Sequence, residues 1–315
     1  MISTATRPRT TPHEDLTELL DMTLDRLVHA APIAGEIANV IAVLELGLVE
    51  ARQKLGDGWT ACVAELCLPH ALAEVLLADP FTRRARLKPR GYAGDAVMLD
   101  YVYSGLPEAE RASTSPLGQL LLAATTSFPA AISVRERRDL LASRIDATAD
   151  RVDRPRVLSV ACGHLREAAG SKAVQSGKIG QFTALDQDRD SLTVIATDHP
   201  GVRPLHGSVR DLLRGTLDLG EHDLIYAAGL FDYLPDAAAR SLIQVLAGKL
   251  AQGGELVVGN FAPDYITSGY LEAMMDWRLI TRSEAQLAAL CEGIPALVAT
   301  WLDSTGCVAY VSLHR

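Results

Sequence analysis

The sequence predicts an α/β protein with a doubly wound, Rossmann-like sheet, a reversed terminal strand and an N-terminal helical cap domain. Apolar residues recur at helical spacing through the first half, whereas short β-rich runs alternate with helical stretches from residue 156 onward. Strands that alternate with helices are typical of βαβ units and a parallel sheet. Near the end, two β-rich runs joined by a turn signal predict an antiparallel hairpin.

The first helices are predicted from capping signals and apolar spacing. Thr11 and Glu14 form a capping box around a proline suited to the first helical position. Leucines at helical spacing follow, and a second apolar helix is predicted from about 33 to 55. A third helix is predicted from about 60 to 77.

A second capping box, Ser133–Glu136, predicts a helix that continues to about Ala149. The pattern changes after it, so the domain boundary is expected at residue 150. We therefore expect a disordered leader over 1–12, a helical cap or lid over 13–150 and a nucleotide-binding domain over 151–315.

The second half contains the strands. Five β-rich runs with helical stretches between them are Val157–Ala161, Phe182–Asp186, Val202–His206, Asp223–Ala227 and Glu255–Asn260. The terminal hairpin is predicted from Leu297–Leu302 and Cys307–Leu313, which flank a turn at 303–306.

Composition narrows the classes of function. The chain has 315 residues and a formal net charge of −9, which argues against nucleic acid as a partner because phosphate binding needs a basic surface. No apolar run approaches the roughly 20 residues of a membrane span. The first dozen residues lack the apolar stretch of a signal peptide. A cytoplasmic protein that acts on a small-molecule substrate is expected, without membrane association, and composition leaves the oligomeric state open.

Neither the cysteines nor a short run of basic residues by itself indicates a functional site. Five scattered cysteines without a CxxC pair indicate neither a zinc site nor a disulfide framework, and we expect no metal. Five basic residues between Arg83 and Arg90 are a local exception to the acidic balance. We interpret them first as a solvated helix face.

Two residues at predicted strand ends suggest a nucleotide site. Gly163 follows the first strand and lets backbone approach a bound nucleoside beside an electropositive helix N-terminus. Asp186 ends the second strand, 23 residues further on, where a carboxylate accepts ribose hydroxyls. The alternative for Asp186 is a surface acid that caps a helix. Small residues after the fourth strand, Ala228 and Gly229, would let a cofactor lie across the sheet edge.

Together these motifs resemble the class I S-adenosylmethionine-dependent methyltransferases over about residues 150–315. The resemblance rests on a strand followed by Ala-Cys-Gly, a strand ending in Leu-Asp, the strand Asp-Leu-Ile-Tyr-Ala, and Gly-Gly-Glu-Leu-Val-Val-Gly-Asn-Phe followed by a hairpin. A dinucleotide-binding dehydrogenase would require a fuller glycine-rich loop and would lack the reversed hairpin.

The resemblance implies S-adenosylmethionine as cofactor, either as methyl donor or as the substrate itself. It places the methionine end against the loop after the first strand, the ribose on Asp186, the adenine near Ser208 and the sulfonium near Gly229–Tyr233. The complete predicted cofactor set is Arg90, Ala161, Cys162, Gly163, His164, Asp186, Gln187, Ser208, Val209, Arg210, Gly229 and Leu230. His164 and Leu165 depart from the small residues that this loop prefers.

A narrower resemblance involves the cap. Segments 87–95, 100–103, 134–138 and 276–280 are similar to a bacterial group assigned to 3-hydroxy fatty acid methyl ester biosynthesis. Physically, Gly91 and Gly94 would let a loop bring an aromatic ring close to a ligand, and Arg90 would clamp a carboxylate. Candidates for an aromatic wall around a sulfonium, with core packing as the alternative, are Tyr92, Tyr101, Tyr103, Phe231, Tyr233 and Trp277.

The sequence is compatible with three functions. The leading interpretation is methyl transfer to a small secondary-metabolite or fatty-acid-like acceptor, with proximity supplying most of the rate. The second, resembling an azetidine-2-carboxylate synthase, is intramolecular cyclisation of S-adenosylmethionine with release of methylthioadenosine. The third is a non-catalytic binding module. The candidate catalytic or orienting residues are Tyr92, Asp232, Tyr233, Asn260 and Asp276.

Overall fold

The computed structural model describes residues 11–29 and 33–315, so the predicted leader falls almost entirely outside the described residues. The described chain divides into two compact units. A helical unit contains the described residues up to Phe128 together with 266–278, and a sheet unit contains 129–265 and 279–315.

The elements, in chain order, have the following bounds. The helices are α1 (Pro12–His29), α2 (Ala34–Leu55), α3 (Trp59–Cys62), α4 (Ala71–Leu76), α5 (Pro80–Leu87), α6 (Ala96–Ser104), α7 (Glu108–Ser113), α8 (Pro116–Thr125), α9 (Pro129–Arg151), α10 (Arg166–Gly170), α11 (Lys172–Gln175), α12 (Arg189–Asp198), α13 (Val209–Arg214), α14 (Asp236–Ala247), α15 (Ser268–Met275) and α16 (Glu284–Leu290). The strands are β1 (Arg156–Val160), β2 (Gln181–Asp186), β3 (Arg203–His206), β4 (His222–Ala227), β5 (Leu250–Phe261), β6 (Leu297–Leu302) and β7 (Val308–His314). Short 3₁₀ turns at Gly56–Gly58 and Phe231–Tyr233 and a π-helical turn at Val63–Cys67 complete the set.

The first two helices form where capping and apolar spacing predict them. Thr11 and Glu14 exchange hydrogen bonds at the start of α1, with the Thr11 N–H donating to Glu14 Oε2 at 2.7 Å. The buried face of α2 includes Ile37, Ile41 and Leu44. The predicted capping box and the second helix are both confirmed.

Two other helix predictions are wrong, and prolines explain both. The single helix predicted over 60–77 is interrupted, because Pro69 cannot donate a helical hydrogen bond and His70 caps a new helix by accepting from the Leu72 N–H. The long helix α9 begins at Pro129, four residues before the predicted start. Ser133 therefore lies inside α9, where its hydroxyl donates back to the Pro129 carbonyl at 3.1 Å.

A buried aspartate organises the helical unit. Asp79 has no exposed surface and caps α5, and its carboxylate accepts hydrogen bonds from the Phe81 N–H, the Thr82 hydroxyl and the Thr125 hydroxyl. Burial raises the pKa of Asp79 above its usual value, while these donors oppose the shift. The Tyr270 hydroxyl lies 3.1 Å from that of Thr82, so α15 shares this buried network.

The predicted sheet is confirmed. Its strand order is β3-β2-β1-β4-β5-β7-β6, in which β1 to β5 pair in parallel and β7 runs antiparallel to both β5 and β6. The chain therefore forms a doubly wound α/β sheet with a reversed terminal strand. The order reverses between β1 and β4, and this is the switch point where open α/β sheets bind ligands.

Helix α9 belongs to the sheet unit, whereas the sequence places it before a boundary at residue 150. It packs against α10, α11 and β4. Its Arg144 forms an ion pair with Glu255 of β5 at 2.8 Å and lies over the Trp301 ring, with 5.3 Å between the guanidinium carbon and the ring centroid. These contacts explain why the compact sheet unit begins at Pro129.

One buried histidine in the sheet is expected to make the stability of the sheet unit depend on pH. His222 is 1% exposed at the start of β4, and neither ring nitrogen has a hydrogen-bond partner. Burial, together with the positive charges of Arg156 and Lys249, lowers its pKa to about 4. The folded protein therefore holds His222 neutral at pH 7.

We expect protonation of His222 to destabilise the sheet unit as the pH falls. Because its folded-state pKa lies below the unfolded value near 6.5, the unfolded chain binds the proton first, and stability is lost between about pH 6.5 and pH 4. Relative to His222→Leu, the wild type should lose about 1–2 kcal/mol of unfolding free energy between pH 7 and pH 5. Urea unfolding of both proteins at the two pH values measures this, and an unchanged difference would contradict it.

Within 11–29 and 33–315, no single helix is long and apolar enough to cross a membrane. Helices α8 and α9, which are bent by 67° relative to each other, together have the length and apolar composition of a membrane span.

Candidate functional site

The candidate site lies at the switch point of the sheet unit, where the carboxyl ends of β1, β2 and β4 meet. The loop after β1 has an unusual backbone. Ala161, Gly163 and Leu165 all have positive φ angles, at 53°, 54° and 53°. Glycine adopts this conformation freely, whereas for alanine and leucine it costs roughly 1–2 kcal/mol each. Backbone strain of this kind concentrates at ligand-binding sites.

Asp186 fixes this loop to β2. Its Oδ2 accepts a hydrogen bond from the Gly163 N–H at 2.9 Å, and its Oδ1 accepts one from the Asp188 N–H at 2.9 Å. Burial raises the pKa of Asp186, and these backbone donors oppose the shift. The backbone N–H of Gln187 also acts on this carboxylate, which has about four acceptor sites, so acceptor capacity remains for a ligand hydroxyl.

Cys162 and His164 lie between these strained positions. Burial and the nearby Asp186 carboxylate raise the pKa of the Cys162 thiol well above its usual value, so this cysteine is not a thiolate nucleophile. His164 is buried. Below the loop, the Tyr226 hydroxyl of β4 donates to Glu167 Oε1 at 2.7 Å, and burial raises the pKa of Glu167.

The residues predicted to lie near an adenine, Ser208 to Arg210, are at the start of α13, and the cofactor candidate Gln187 directly follows β2. Ser208 and Asp211 form a complete capping box, with Ser208 Oγ 2.6 Å from Asp211 Oδ2. The side chain of Ser208 is therefore already engaged. Val209 is partly buried against the sheet core, whereas Arg210 and Gln187 are exposed.

The segment after β4 carries the predicted reaction-centre residues. Gly229 and Tyr233 are exposed and Leu230 is partly buried, whereas Phe231 packs in the sheet core as the alternative interpretation expected. Asp232 is 3% exposed, and its Oδ1 accepts from the Phe261 N–H at 2.6 Å. Burial raises the pKa of Asp232 to about 6, against the opposing effect of this donor and of two arginines.

Arg282 holds this segment in place and was missed by sequence reasoning. Its guanidinium is buried and donates to the carbonyls of Phe231 and Leu234, to Asn260 Oδ1 at 2.8 Å and to Asp236 Oδ1 at 2.7 Å. No sequence signal marks it apart from its place just before a helix N-cap.

Asn260, a predicted catalytic residue, belongs to the same cluster. Its side-chain nitrogen donates to the carbonyls of Phe261 at 2.9 Å and Ile280 at 2.8 Å, while its oxygen accepts from Arg282. The amide uses both of its N–H groups in these bonds, which gives it a structural role at the end of β5.

Three predicted site residues lie in the helical unit. Arg90 and Tyr92 are partly buried in the loop between α5 and α6. Asp276 has a φ of 48° after α15, and its Oδ2 lies 2.6 Å from Lys88 Nζ. This ion pair joins two of the segments that carry the narrower sequence resemblance.

The basic run is more than a solvated face. Arg84 Nε donates to both carboxylate oxygens of the buried Asp95, at 2.7 and 3.0 Å. Arg86 donates to the carbonyls of Leu68 and Met274. Two of these basic side chains therefore tie helices together, while Arg83 is exposed as expected.

The topology and the switch-point loops define a doubly wound α/β protein of the Rossmann-like class. No protein-family model matches the chain, and no curated protein matches it in sequence. Among solved structures, a possible exported protein from Bordetella parapertussis is similar over 100% of this chain and 99% of its own, with 16% identity and a TM-score of 0.58. At this identity the likeness shows a shared fold.

Two methyltransferases are similar over part of the chain. Magnesium protoporphyrin IX methyltransferase from Synechocystis PCC 6803 has 13% identity over 59% of this chain and 84% of its own, with a TM-score of 0.44. The N-methyltransferase NodS from Bradyrhizobium japonicum WM9 has 14% identity over 57% of this chain and 87% of its own, with a TM-score of 0.43.

Proposed function

We propose that the sheet unit binds S-adenosylmethionine at the switch point between β1 and β4, and that the protein is an enzyme that transfers the methyl group to a small-molecule acceptor. The observation that supports this most strongly is the pairing of Asp186 with the strained loop after β1. Oδ2 of this carboxylate accepts the Gly163 N–H at 2.9 Å, in a sheet whose terminal strand is reversed.

The residues present fit this cofactor in their chemistry. Asp186 offers carboxylate oxygens to ribose hydroxyls, and the left-handed backbone at Ala161 and Gly163 brings the loop close to the end of β2. Exposed Gly229 leaves the edge beyond β4 without a side chain. Among the described residues, no group of three or more His, Cys, Asp or Glu side chains is arranged to hold a metal ion.

Bound S-adenosylmethionine would supply an activated methyl group: the acceptor atom forms a bond to the methyl carbon, and the sulfur keeps the electron pair of the broken bond. The chain then has to hold the acceptor in line and, where the acceptor carries a proton, to remove it. Asp232 fits the second task because burial raises its pKa to about 6, so it is a carboxylate near neutral pH. Tyr92, Tyr233 and Asp276 stay predictions as orienting residues.

The acceptor we propose is small, with a hydroxyl, amine or carboxylate as the methylated group. The formal net charge of −9 supports a small-molecule partner over a nucleic acid. A secondary-metabolite or fatty-acid-like acceptor follows from the narrower sequence resemblance, and a cytoplasmic location remains part of the same proposal.

Incubation with S-adenosylmethionine, with and without acceptors, tests the proposal. We expect the purified protein to bind the cofactor and leave it intact when alone, and to form S-adenosylhomocysteine and a methylated product when small hydroxylated or carboxylated acceptors are added. Mass spectrometry identifies both products. Enzyme-dependent methylthioadenosine and azetidine-2-carboxylate from the cofactor alone would instead establish the cyclisation. Absence of cofactor binding would contradict both reactions.

A further inference from the structure

Arg137 is a buried cation on α9 that reaches the switch point from within the sheet unit. It is 7% exposed, and its Nη1 donates to the carbonyl of Ala228, directly after β4. A residue of α9 thus contacts the backbone at the point where the strand order reverses. Burying a guanidinium is costly unless charged or polar groups face it.

The backbone next to Arg137 carries no side chain at Gly229. A Cβ atom placed on Gly229 would lie 3.6 Å from Nη1 and 3.8 Å from Nη2 of Arg137. Any side chain at this position would therefore contact the guanidinium. Gly229 is exposed and has no side chain of its own to stand between a ligand at this position and the guanidinium.

Acidic side chains surround the switch point, so a nearby cation would favour the binding of a carboxylate there. Three acidic side chains are buried in the segments that follow or end strands of the sheet: Glu167 in α10 after β1, Asp186 at the end of β2 and Asp232 in the turn after β4. The positive charge of Arg137 opposes the burial-driven rise in the pKa of both Glu167 and Asp232, so it lies close enough to act on both. Arg137 therefore offsets the repulsion that these acids would exert on an anionic ligand.

We propose that Arg137 binds the α-carboxylate of the methionyl end of S-adenosylmethionine, and so makes the site selective for ligands that carry this group. The inference rests on the proposed cofactor. A planar guanidinium matches a carboxylate with two parallel hydrogen bonds, which a lysine cannot reproduce. Arg282, also buried, differs in function because it donates to the carbonyls of Phe231 and Leu234 and to Asn260.

The test compares ligands that differ only in the carboxylate. Isothermal titration calorimetry measures the affinities of S-adenosylmethionine and of decarboxylated S-adenosylmethionine for the wild type, Arg137→Gln and Arg137→Lys, with methylthioadenosine as the ligand that lacks the whole amino-acid end. Arg144→Gln is the matched control, because it makes the same change on the same helix and breaks the ion pair with Glu255. Thermal unfolding without ligand checks that each variant folds.

We expect the wild type to prefer S-adenosylmethionine over its decarboxylated form by about 10- to 100-fold. Arg137→Gln should remove this preference while its affinity for decarboxylated S-adenosylmethionine and for methylthioadenosine stays within about threefold. Arg137→Lys should keep part of the preference, and Arg144→Gln should keep all of it.

Three results would overturn the inference. A preference that survives in Arg137→Gln would place the carboxylate elsewhere. An equal loss of affinity for all three ligands would show that Arg137 acts only in folding. A wild type that binds S-adenosylmethionine but shows no preference for the carboxylate would refute the inference alone, whereas a wild type that binds none of the three would refute the proposed cofactor as well.

Discussion

Replacement of Asp186 by asparagine should weaken S-adenosylmethionine binding by about 100-fold, close to 3 kcal/mol. The carboxylate accepts the Gly163 N–H on one oxygen and the Asp188 N–H on the other, and with about four acceptor sites it retains capacity for a ribose hydroxyl. An amide replaces one of these acceptors with a donor. Because the same change leaves Gly163 or the ribose without a partner, either the loop or the ligand loses a hydrogen bond.

Asp188→Asn is the control for this experiment. Asp188 lies two residues away and caps α12, with its carboxylate accepting from the Asp190 N–H and the Ser191 hydroxyl. It therefore shares the location but not the contact with Gly163. Calorimetric titration should show affinity within about threefold of the wild type for this variant. An Asp186→Asn protein that folds and binds S-adenosylmethionine as tightly as the wild type would contradict the proposed ribose site.

Strand positions follow from the sequence because they depend on local composition. The runs ending at Ala161, Asp186 and Ala227 match β1, β2 and β4 to within one residue at each end. The start of β5 differs: it begins at Leu250, before the Gly253–Gly254 pair that suggests a turn. The pairing of β4 with β5 shifts register there, so these glycines lie in an irregular part of the strand.

Helix boundaries were predicted less well where two local signals compete. Ser133 and Glu136 have the spacing of a capping box, yet Pro129 starts the helix earlier because its fixed φ suits the first position. The serine hydroxyl then donates to a carbonyl inside the helix. Spacing alone does not show which of the two starts is used.

The candidate site was predictable only in part. Gly163 and Asp186 are found from sequence because topology places strand ends together, and the structure joins them by a hydrogen bond. Arg137 and Arg282 could not be assigned in this way. Arg137 contacts the Ala228 carbonyl 91 residues away, and Arg282 contacts the Phe231 carbonyl 51 residues away. Side-chain contacts to distant backbone leave no periodic pattern in the sequence.

Loss of Arg282 should strongly destabilise the sheet unit. Its guanidinium is 2% exposed and is the donor for the carbonyls of Phe231 and Leu234 and for Asn260 Oδ1. Arg282→Gln removes the buried positive charge and most of these donors, although the Phe231 carbonyl keeps the Leu234 N–H, and we expect a cost of about 3–5 kcal/mol in unfolding free energy. Urea unfolding measures this cost directly.

The same change should also loosen the segment that carries Asp232, because Arg282 binds the residues on either side of it. We expect amide hydrogen exchange between 229 and 236 to become faster in Arg282→Gln than in the wild type. Arg151→Gln serves as the matched control, since this exposed arginine donates to a single carbonyl, that of Gly253, and its loss should cost less than about 1 kcal/mol. If both variants lost the same small amount of unfolding free energy and kept wild-type rates of amide exchange, Arg282 would not be the residue that positions Asp232.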